Sequence, residues 1–334
     1  MPIATFESNR SKGRHRPSAP PRRLQCLHLQ ELFAFVSILA VGSFCFSLML
    51  RPAAAAGISA NAVSVNPTTG NDNPGCNLES PCKSISYAVQ VVGASVVSLS
   101  AGIFNEPTVN ISGVASLVIS GAQFETVFDC SARQPSRMTT GAAFNIFNSA
   151  VTITGVTFQN CSTSENGGAV SASGSSILVS QCSFINCNAA SGGAISVTGP
   201  GVGLFLDIQS SNFTGNSANG GLFGCPKDSA LPCSTWGGAI AAFEMLNVSI
   251  RGCIMVSNRA NALVPIDSEQ SQKSRNAVAG GGCVSVLFYG NASGSAVHIS
   301  DNSFTECAVQ VLDTGNITVG NGVYMMLKHR RSLQ

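Results

Sequence analysis

Apolar and polar residues alternate along several short segments of this chain, and many of the apolar members are Val, Ile or Leu. The clearest examples are residues 150–154, 176–180, 204–208 and 296–300. Alternation with a period of two in such residues is typical of β-strands. The segments between them are short and lack helical spacing, so this part of the chain is predicted to be all-β.

Two short phrases recur in register between residues 140 and 309. The first is Gly-Gly-Ala plus an apolar residue, and its copies, two of them looser, begin at Gly141, Gly167, Gly192, Gly237 and Gly281. The second begins with Phe or Met, at Phe158, Phe184, Phe213, Met255 and Phe304. Each second phrase starts 17 to 23 residues after a first one. A repeat of this length is typical of stacked units. A unit of two or three short strands then predicts a parallel β-helix.

Each phrase has a physical role in such a stack. Glycine adopts positive φ without cost and lets backbones approach closely, so Gly-Gly is expected at a corner. The following Ala is small enough for a crowded interior. The recurrent Phe is expected to stack on its copies, and the Asn of the second phrase to form a ladder along the axis.

The order Gly-Gly-Ala-[Ile/Val] and then Phe-x-x-Asn resembles the repeat of the chlamydial polymorphic outer membrane proteins. Similar repeats occur in eukaryotic proteins of the pectin-lyase-like class. The resemblance covers about half of the chain and implies a right-handed parallel β-helix. It implies almost nothing about activity.

Residues 57–138 are predicted to form an N-terminal cap and the first coils. Here Ile85, Ala88, Val89 and Val92 fall on one face of a short helix, which we expect to cover the open end of the β-helix. Residues 139–320 then form the repeat region, and residues 321–334 a basic tail.

The N-terminal segment predicts entry into the secretory pathway. Residues 1–31 are basic at their start and are expected to be a disordered cytoplasmic flank, although a nucleic-acid-binding arm is the alternative. Within residues 32–56, the stretch 32–50 is a run of 19 uncharged residues. That length is close to a membrane span, and small residues follow at which a signal peptidase could cut. The segment is therefore either a cleaved signal peptide or an uncleaved type II anchor, and both make the body lumenal or extracellular.

The composition of the body agrees with that location. After Ala56 there are 11 Lys and Arg against 14 Asp and Glu, so no basic patch for nucleic acid is expected. Glycosylation sequons begin at Asn110, Asn160, Asn212, Asn247, Asn291 and Asn316. Asn160 lies in a repeat turn, where we expect it to be inaccessible; the other five are candidate glycosylation sites.

Eleven cysteines follow the hydrophobic segment, consistent with an oxidising compartment. Like positions of stacked coils lie within disulfide range. The predicted pairs are Cys76–Cys82, Cys161–Cys187 and Cys225–Cys233. Zinc binding is the competing interpretation, but the cysteines are scattered and His298 is the only histidine between Ala56 and the basic tail. No metal or cofactor is predicted.

Two insertions, residues 218–236 and 259–280, leave the same corner of adjacent coils and should lie side by side. Loops on a rigid scaffold often bind ligands. The candidate binding residues are Lys227, Asp228, Trp236, Asp267 and Glu269. The alternative is that both insertions are only tolerated surface loops.

The sequence does not predict a catalytic site. Asp207 and Asp301 each stand alone in their repeat position, whereas hydrolases of this kind need paired carboxylates. We therefore expect a non-catalytic surface protein for display, adhesion or association with cell-wall carbohydrate, with a polysaccharide or another surface protein as its partner. The alternative is a lyase or hydrolase acting on polysaccharide, which convergence of Asp207, Asp228, Glu244 or Asp267 on one groove would favour.

Overall fold

The computed structural model describes residues 61–123, 125–131, 142–199, 203–220, 234–245, 247–263, 278–289, 296–312 and 322–328. The predicted basic flank (1–31), the hydrophobic segment (32–56) and residues 329–334 of the tail lie outside the described residues. Within the described ranges, no helix combines the length and apolarity that a membrane span requires.

Most strands belong to four parallel sheets, numbered 1 to 4, with strands numbered in chain order. Sheet 1 contains β1 (Ala62–Val65), β2 (Val96–Leu99), β5 (Leu117–Ser120), β8 (Ala150–Thr154), β11 (Ser176–Ser180), β15 (Phe205–Gln209), β20 (Asn247–Arg251) and β25 (Ala296–Ser300). Sheet 2 contains β3 (Gly102–Phe104), β6 (Thr126–Asp129), β9 (Thr157–Gln159), β12 (Ser183–Ile185), β16 (Asn212–Thr214), β21 (Ile254–Val256) and β26 (Ser303–Thr305).

The remaining strands complete the coils. Sheet 3 contains β13 (Asn188–Ala189), β17 (Ser217–Ala218), β22 (Arg259–Leu263) and β27 (Ala308–Leu312). Sheet 4 contains β4 (Val109–Ser112), β7 (Phe144–Phe147), β10 (Val170–Ser173), β14 (Ile195–Thr198), β19 (Ile240–Phe243), β24 (Val284–Tyr289) and β28 (Val323–Lys328). A separate pair joins β18 (Ser234–Trp236) to β23 (Val278–Gly280).

Successive strands of each sheet come from successive coils. The chain passes from sheet 1 to sheet 2, through sheet 3 in the later coils, and on to sheet 4 before it enters sheet 1 again one level higher. Every strand pairing is parallel; for example, Phe184 is in register with Phe158 on one side and Phe213 on the other. The predicted parallel β-helix is therefore confirmed.

A short helix, α1 (Ile85–Gln90), lies against β1, β2 and β4. Of these, β1 is the first strand of sheet 1 and β4 is the first strand of sheet 4. Its apolar face is the predicted one, with Ile85, Ala88 and Val89 buried. The carboxylate of Glu106 accepts hydrogen bonds from the backbone N–H of Ile85 at 2.6 Å and of Ser86 at 3.1 Å. Burial raises the pKa of Glu106, and these hydrogen bonds oppose that effect. The carboxylate thus satisfies donors that the start of a helix leaves unpaired.

The aromatic stack inside the coils is also confirmed. The rings of Phe158 and Phe184 are 5.2 Å apart and those of Phe184 and Phe213 are 4.8 Å apart, with planes within 7° of parallel. All three side chains are fully buried. Met255 takes the next level, in register with Phe213 below and Phe304 above.

The predicted asparagine ladder exists only in part. Asn216 and Asn258 are buried; Nδ2 of Asn216 donates to Oδ1 of Asn258 at 2.9 Å, and Nδ2 of Asn258 donates to the backbone oxygen of Phe213 at 3.0 Å. Asn160 and Asn186 stand one position earlier in their phrases and are exposed. They occupy a left-handed corner, and in those coils a cysteine fills the inward position that follows.

Corners repeat the same backbone conformation from coil to coil. Positive φ occurs between sheets 1 and 2 at Gly155, Gln181, Ser210, Gly252 and Asp301. It occurs at the end of sheet 2 at Asn160, Asn186, Gly215, Ser257 and Glu306. It occurs before sheet 4 at Gly167, Gly192, Gly237 and Gly281, as the Gly-Gly phrase predicts. From the coil of β8 onward, each of these three described corners contains one left-handed residue, at a cost of about 1–2 kcal/mol where that residue carries a Cβ.

The second glycine of the Gly-Gly phrase is needed for a different reason. A Cβ added to Gly193 would lie 2.6 Å from both the backbone nitrogen and the backbone oxygen of Ser217, and still closer to the backbone oxygen of Gly238. Gly168 is crowded in the same way by the backbone of neighbouring coils. Backbone atoms in a sheet cannot move aside cheaply, so the requirement here is for space rather than for positive φ.

We predict that Gly193→Ala lowers the free energy of unfolding by about 3 kcal/mol, the upper part of the range for overpacking. Gly113→Ala, at φ 68° with no atom within 4 Å, should lose only about 1 kcal/mol. Gly322→Ala, which also meets nothing within 4 Å, should be nearly neutral. Urea unfolding followed by circular dichroism measures all three. Equal losses at Gly193 and Gly113 would contradict the crowding argument.

Candidate binding face

The outer face of sheet 1 carries an uninterrupted line of polar side chains, one from each strand. In register, these are Ser64, Ser98, Ser120, Thr154, Ser180, Gln209, Arg251 and Ser300. We call this line the polar column. None of its members is buried, because each follows an inward-facing residue of its strand. Neighbouring members are about 4.8 Å apart, so the face presents hydrogen-bonding groups at a regular spacing.

One ion pair lies on this face. A guanidinium nitrogen of Arg251 is 3.2 Å from Oδ2 of Asp207, and Nε2 of Gln209 donates to the same oxygen at 2.6 Å. The side chain of Arg251 is 51 % exposed and that of Asp207 18 %. Oδ1 of Asp207 is buried and has no hydrogen-bond partner within the described residues. Asp207 therefore holds the arginine against the sheet while about half of the arginine side chain stays open to solvent.

Asp207, Ser249 and His298 are in register on three consecutive strands of sheet 1. These are the residue types of a nucleophilic triad, but here the hydroxyl stands in the middle. A triad needs the imidazole between the hydroxyl and the carboxylate, so that it can accept the hydroxyl proton while the carboxylate orients it. In this order Asp207 cannot orient His298, and the three residues do not form an activated serine.

The carboxylates on and beside the later strands of sheet 1 occupy separate positions. Asp207 is flanked in its column by Leu178 and Ser249, as the sequence alignment of the coils predicts. Asp301 lies in the corner between sheets 1 and 2, and Glu244 follows β19 in the corner that leads from sheet 4 to sheet 1. Paired acid and base carboxylates need a separation of roughly 5–9.5 Å on one groove. No column of sheet 1 supplies two carboxylates among the described residues.

The two insertions meet where each returns to the β-helix. The pairing of β18 with β23 places these returning ends, residues 234–236 and 278–280, side by side. Trp236, at the end of β18, is buried and stacks on Tyr324 with ring centres 5.5 Å apart. It packs with Ala241 and Leu287 on sheet 4.

Trp236 is thus part of a small satellite core and not an exposed platform in a loop. Its ring covers apolar side chains that sheet 4 would otherwise present to water. The other candidate binding residues of the insertions, Lys227, Asp228, Asp267 and Glu269, lie outside the described residues.

The disulfides correct one prediction. Cys76–Cys82 forms as predicted, but Cys161 pairs with Cys130, with a Cα–Cα distance of 4.8 Å, and Cys187 is a free thiol. Side chains in the same position of stacked strands point in the same direction, and a disulfide needs its two Cβ atoms to approach each other. Cys130 is displaced by one position from the Cys161 column and meets this requirement.

A further disulfide, Cys283–Cys307, was not predicted from the sequence. It joins a Gly-Gly corner to the coil above, and the spacing of the two residues along the chain gives no signal of it. Cys225 and Cys233 lie outside the described residues.

Three buried thiols take part in the packing. Cys182 precedes β12 and occupies the same inward position as Ser211 in the coil above; Oγ of Ser211 accepts from the backbone N–H of Cys182 at 3.1 Å. Burial raises the pKa of the Cys182 thiol to about 11 and that of Cys187 to about 12. Burial also raises the pKa of Cys253. Protonated thiols of this kind are poor nucleophiles, so their role is structural.

The candidate glycosylation residues differ in exposure. Asn110 in β4 and Asn247 at the start of β20 are exposed, and Asn212 in β16 is half-buried. Asn160, expected to be inaccessible, is exposed because its corner turns the side chain outward, although its Nδ2 donates to Asp129 at 3.3 Å. Asn291 and Asn316 lie outside the described residues.

Comparison with known protein families, with curated proteins and with solved structures finds no match to this chain. The described residues contain no group of three or more His, Cys, Asp or Glu side chains that could hold a metal ion. The feature that the sequence argument missed is the polar column. The sequence does contain a sign of it. Thr154, Ser180 and Ser300 each end an alternating segment and each stand four residues before the next Phe.

We predict that Cys182, Cys187 and Cys253 resist alkylation in the native protein. At pH 8, maleimide should modify them at least about a hundredfold more slowly than in denaturant, because a buried site reacts only when it opens. These thiols ionise near their ordinary pKa of 9.0 when unfolded, but Cys182 only at about 11 when folded. As the pH rises, the thiols of the unfolded state therefore lose their protons before those of the folded state. The contribution of the buried thiols to the free energy of unfolding should then fall between about pH 9 and about pH 11.

Peptide mapping by mass spectrometry identifies which thiols react. Cys182→Ser is the matched control; it should fold, because Ser211 fills the same position one coil above, and should lose only its own label. Rapid native labelling of Cys182 or Cys187 at pH 8 would contradict the assignment of these thiols to the core.

Proposed function

We propose that the protein is a non-catalytic, extracellular or cell-surface β-helix that associates with extended polysaccharide through the outer face of sheet 1. The observation that carries this proposal is the polar column. Its eight members repeat along the axis at about 4.8 Å, which is comparable to the spacing of hydroxyl groups along a linear glycan chain. Such a chain lying along the axis would meet one hydrogen-bonding side chain from each coil.

The strength of such binding comes from repetition. A single exposed hydroxyl contributes little, since it exchanges one hydrogen bond with water for another. Several groups held at fixed spacing engage one ligand together, and each later contact forms at high effective concentration. A rigid β-helix loses little conformational freedom on binding. Arg251, held by Asp207, adds one cation to the column and suits a chain that carries some carboxylates.

The extracellular placement is supported by chemistry rather than by homology. Disulfides within the described residues suit an oxidising compartment. The N-terminal hydrophobic segment and the sequons point the same way. The resemblance of the repeats to those of the chlamydial polymorphic outer membrane proteins and of pectin-lyase-like proteins makes surface display or adhesion the broader class to which we assign the function.

The alternative is a lyase or hydrolase acting on pectin or a related polysaccharide. One observation favours it: Asp207 keeps a buried oxygen without a hydrogen-bond partner on the face where substrate would lie. Against it stands the separation of Asp207, Glu244 and Asp301, which occupy different columns and corners. Because Asp207 is already paired with Arg251, a second acid would have to come from elsewhere to share proton transfer.

The test is binding of the purified protein to polygalacturonate and to xylan immobilised on an array. We expect binding without cleavage, and a loss of affinity of at least about tenfold in the double variant Thr154→Val, Ser180→Ala, since two hydrogen bonds are worth about 1.4 kcal/mol or more. Ser173→Ala is the matched control, because Ser173 is an exposed serine at the end of a strand in sheet 4.

Cleavage is assayed on the same polysaccharides by release of reducing ends and of unsaturated products, with and without Ca²⁺. Product release that depends on Asp207 would overturn the non-catalytic assignment. Equal loss of binding in the double variant and in Ser173→Ala would show that sheet 1 is not the binding face.

A further inference from the structure

Two large apolar side chains stand exposed on the outer faces of the sheets, each beside a sequon asparagine. Phe205 is 39 % exposed and is in register with Asn247 on the next strand of sheet 1. Ile254 is 50 % exposed and is in register with Asn212 on the neighbouring strand of sheet 2. Exposed aromatic and aliphatic side chains on a sheet invite association with other chains. The position of the sequons indicates what covers them.

Phe205 and Asn247 point to the same side of sheet 1. Their inward neighbours, Leu206 and Val248, are in register and buried, so the two residues before them both face solvent. Paired residues on neighbouring strands have Cβ atoms about 4.5–5.5 Å apart. A group attached to the Asn247 amide therefore starts within reach of the phenyl ring.

Space is available around this pair. On its other side, Asn247 is in register with Ala296, which is small and exposed. Among the described residues, the amide of Asn247 makes one long hydrogen bond, from Nδ2 to the backbone oxygen of Leu204 at 3.5 Å. A substituted amide keeps one N–H and can still make it. The sequon hydroxyl of Ser249 lies on the same face, two residues on.

We propose that Asn247 carries an N-linked glycan whose first N-acetylglucosamine lies across the ring of Phe205. The sugar is transferred from a polyprenyl-diphosphate-linked oligosaccharide in the secretory pathway. Nδ2 attacks the anomeric carbon and loses one proton, the bond from that carbon to the diphosphate oxygen breaks, and the lipid diphosphate leaves. The proposal rests on the secretory location within the proposed function.

The stacking is the physical content of the proposal. Transfer occurs on the extended chain, and folding then brings Phe205 beside the modified residue. One face of a pyranose ring carries C–H groups, which pack favourably on the electron-rich face of an aromatic ring. The glycan thereby removes the exposed ring of Phe205 from water, at the opposite end of β15 from the polar column, and it hinders other protein chains from associating at this ring.

The experiment is a double-mutant cycle on the full chain secreted from a eukaryotic cell. Glycopeptide mass spectrometry measures the occupancy of Asn247, which we expect to be high. Phe205→Leu keeps the apolar volume but removes the aromatic face. It should lower the melting temperature by about 2–4 °C when Asn247 is glycosylated, and change it little in the Asn247→Gln background. Phe205→Tyr, which keeps the ring, should behave like the natural chain.

Ile254 with Asn212 is the internal control, because an aliphatic side chain offers no aromatic face; Ile254→Leu should show no coupling to Asn212→Gln. Unmodified Asn247 in a chain that carries glycan at Asn110 overturns the site while leaving secretion intact. If Asn247 is glycosylated but Phe205→Leu lowers the melting temperature equally in the natural and the Asn247→Gln backgrounds, the stacking of the sugar on Phe205 is overturned. A chain retained in the cytoplasm with no glycan at any sequon overturns the proposed function as well.

Discussion

The parallel hydrogen-bond ladder between successive coils is the constraint on which the rest of the molecule depends. It forces each coil to repeat the path of the coil below it, so a residue type that suits one position suits that position at every level. The rings of Phe158, Phe184 and Phe213 stack for this reason, and the corners reuse left-handed residues at matching positions. The same constraint places equivalent outward residues in straight lines, and the polar column is one of them.

Polar groups inside the stack are accommodated by bonding along the axis. Asn216 bonds to Asn258, and Ser211 accepts from the backbone of Cys182 one coil below. Each such bond satisfies a group that burial would otherwise leave unpaired, which costs about 1–3 kcal/mol. Asn, Ser and Cys can replace one another at these positions, since each has a short polar tip that reaches the next coil. This interchange explains why the second phrase of the repeat varies more than its Phe.

Much of the architecture could be predicted from the sequence, because its causes are local. The first glycine at each Gly-Gly corner adopts positive φ, which predicts the corner. The period-two segments have one buried face, which predicts the strands and the fold class. The recurrent Phe predicts the aromatic stack, and the apolar face of residues 85–92 predicts the capping helix. The partners of Cys161 and Cys283 could not be predicted. Whether two cysteines form a disulfide depends on the direction of their Cα–Cβ bonds in adjacent coils. A shift of one residue along the strand decides whether the two Cβ atoms approach each other.

The candidate binding face differs from the disulfides in this respect. Thr154, Ser180 and Arg251 each stand four residues before the Phe or Met of the second phrase, so their alignment could be read from the sequence. The surroundings of Trp236 depend on tertiary packing as well. As the only tryptophan, within an insertion, it suggested a ligand contact, whereas tertiary packing against Tyr324 uses it to seal the side of sheet 4.

The Cys283–Cys307 disulfide has a mechanical consequence. In a linear stack, each interior coil is held from two sides, but a terminal coil is held from one, so fraying begins at the ends. This bond links a Gly-Gly corner to the last level of sheet 2 that the structure describes. It keeps that level tethered while its ladder opens, so that the strands can close again in the same register. Tension on this level would therefore separate its strands reversibly, because the disulfide keeps them close to the coil below.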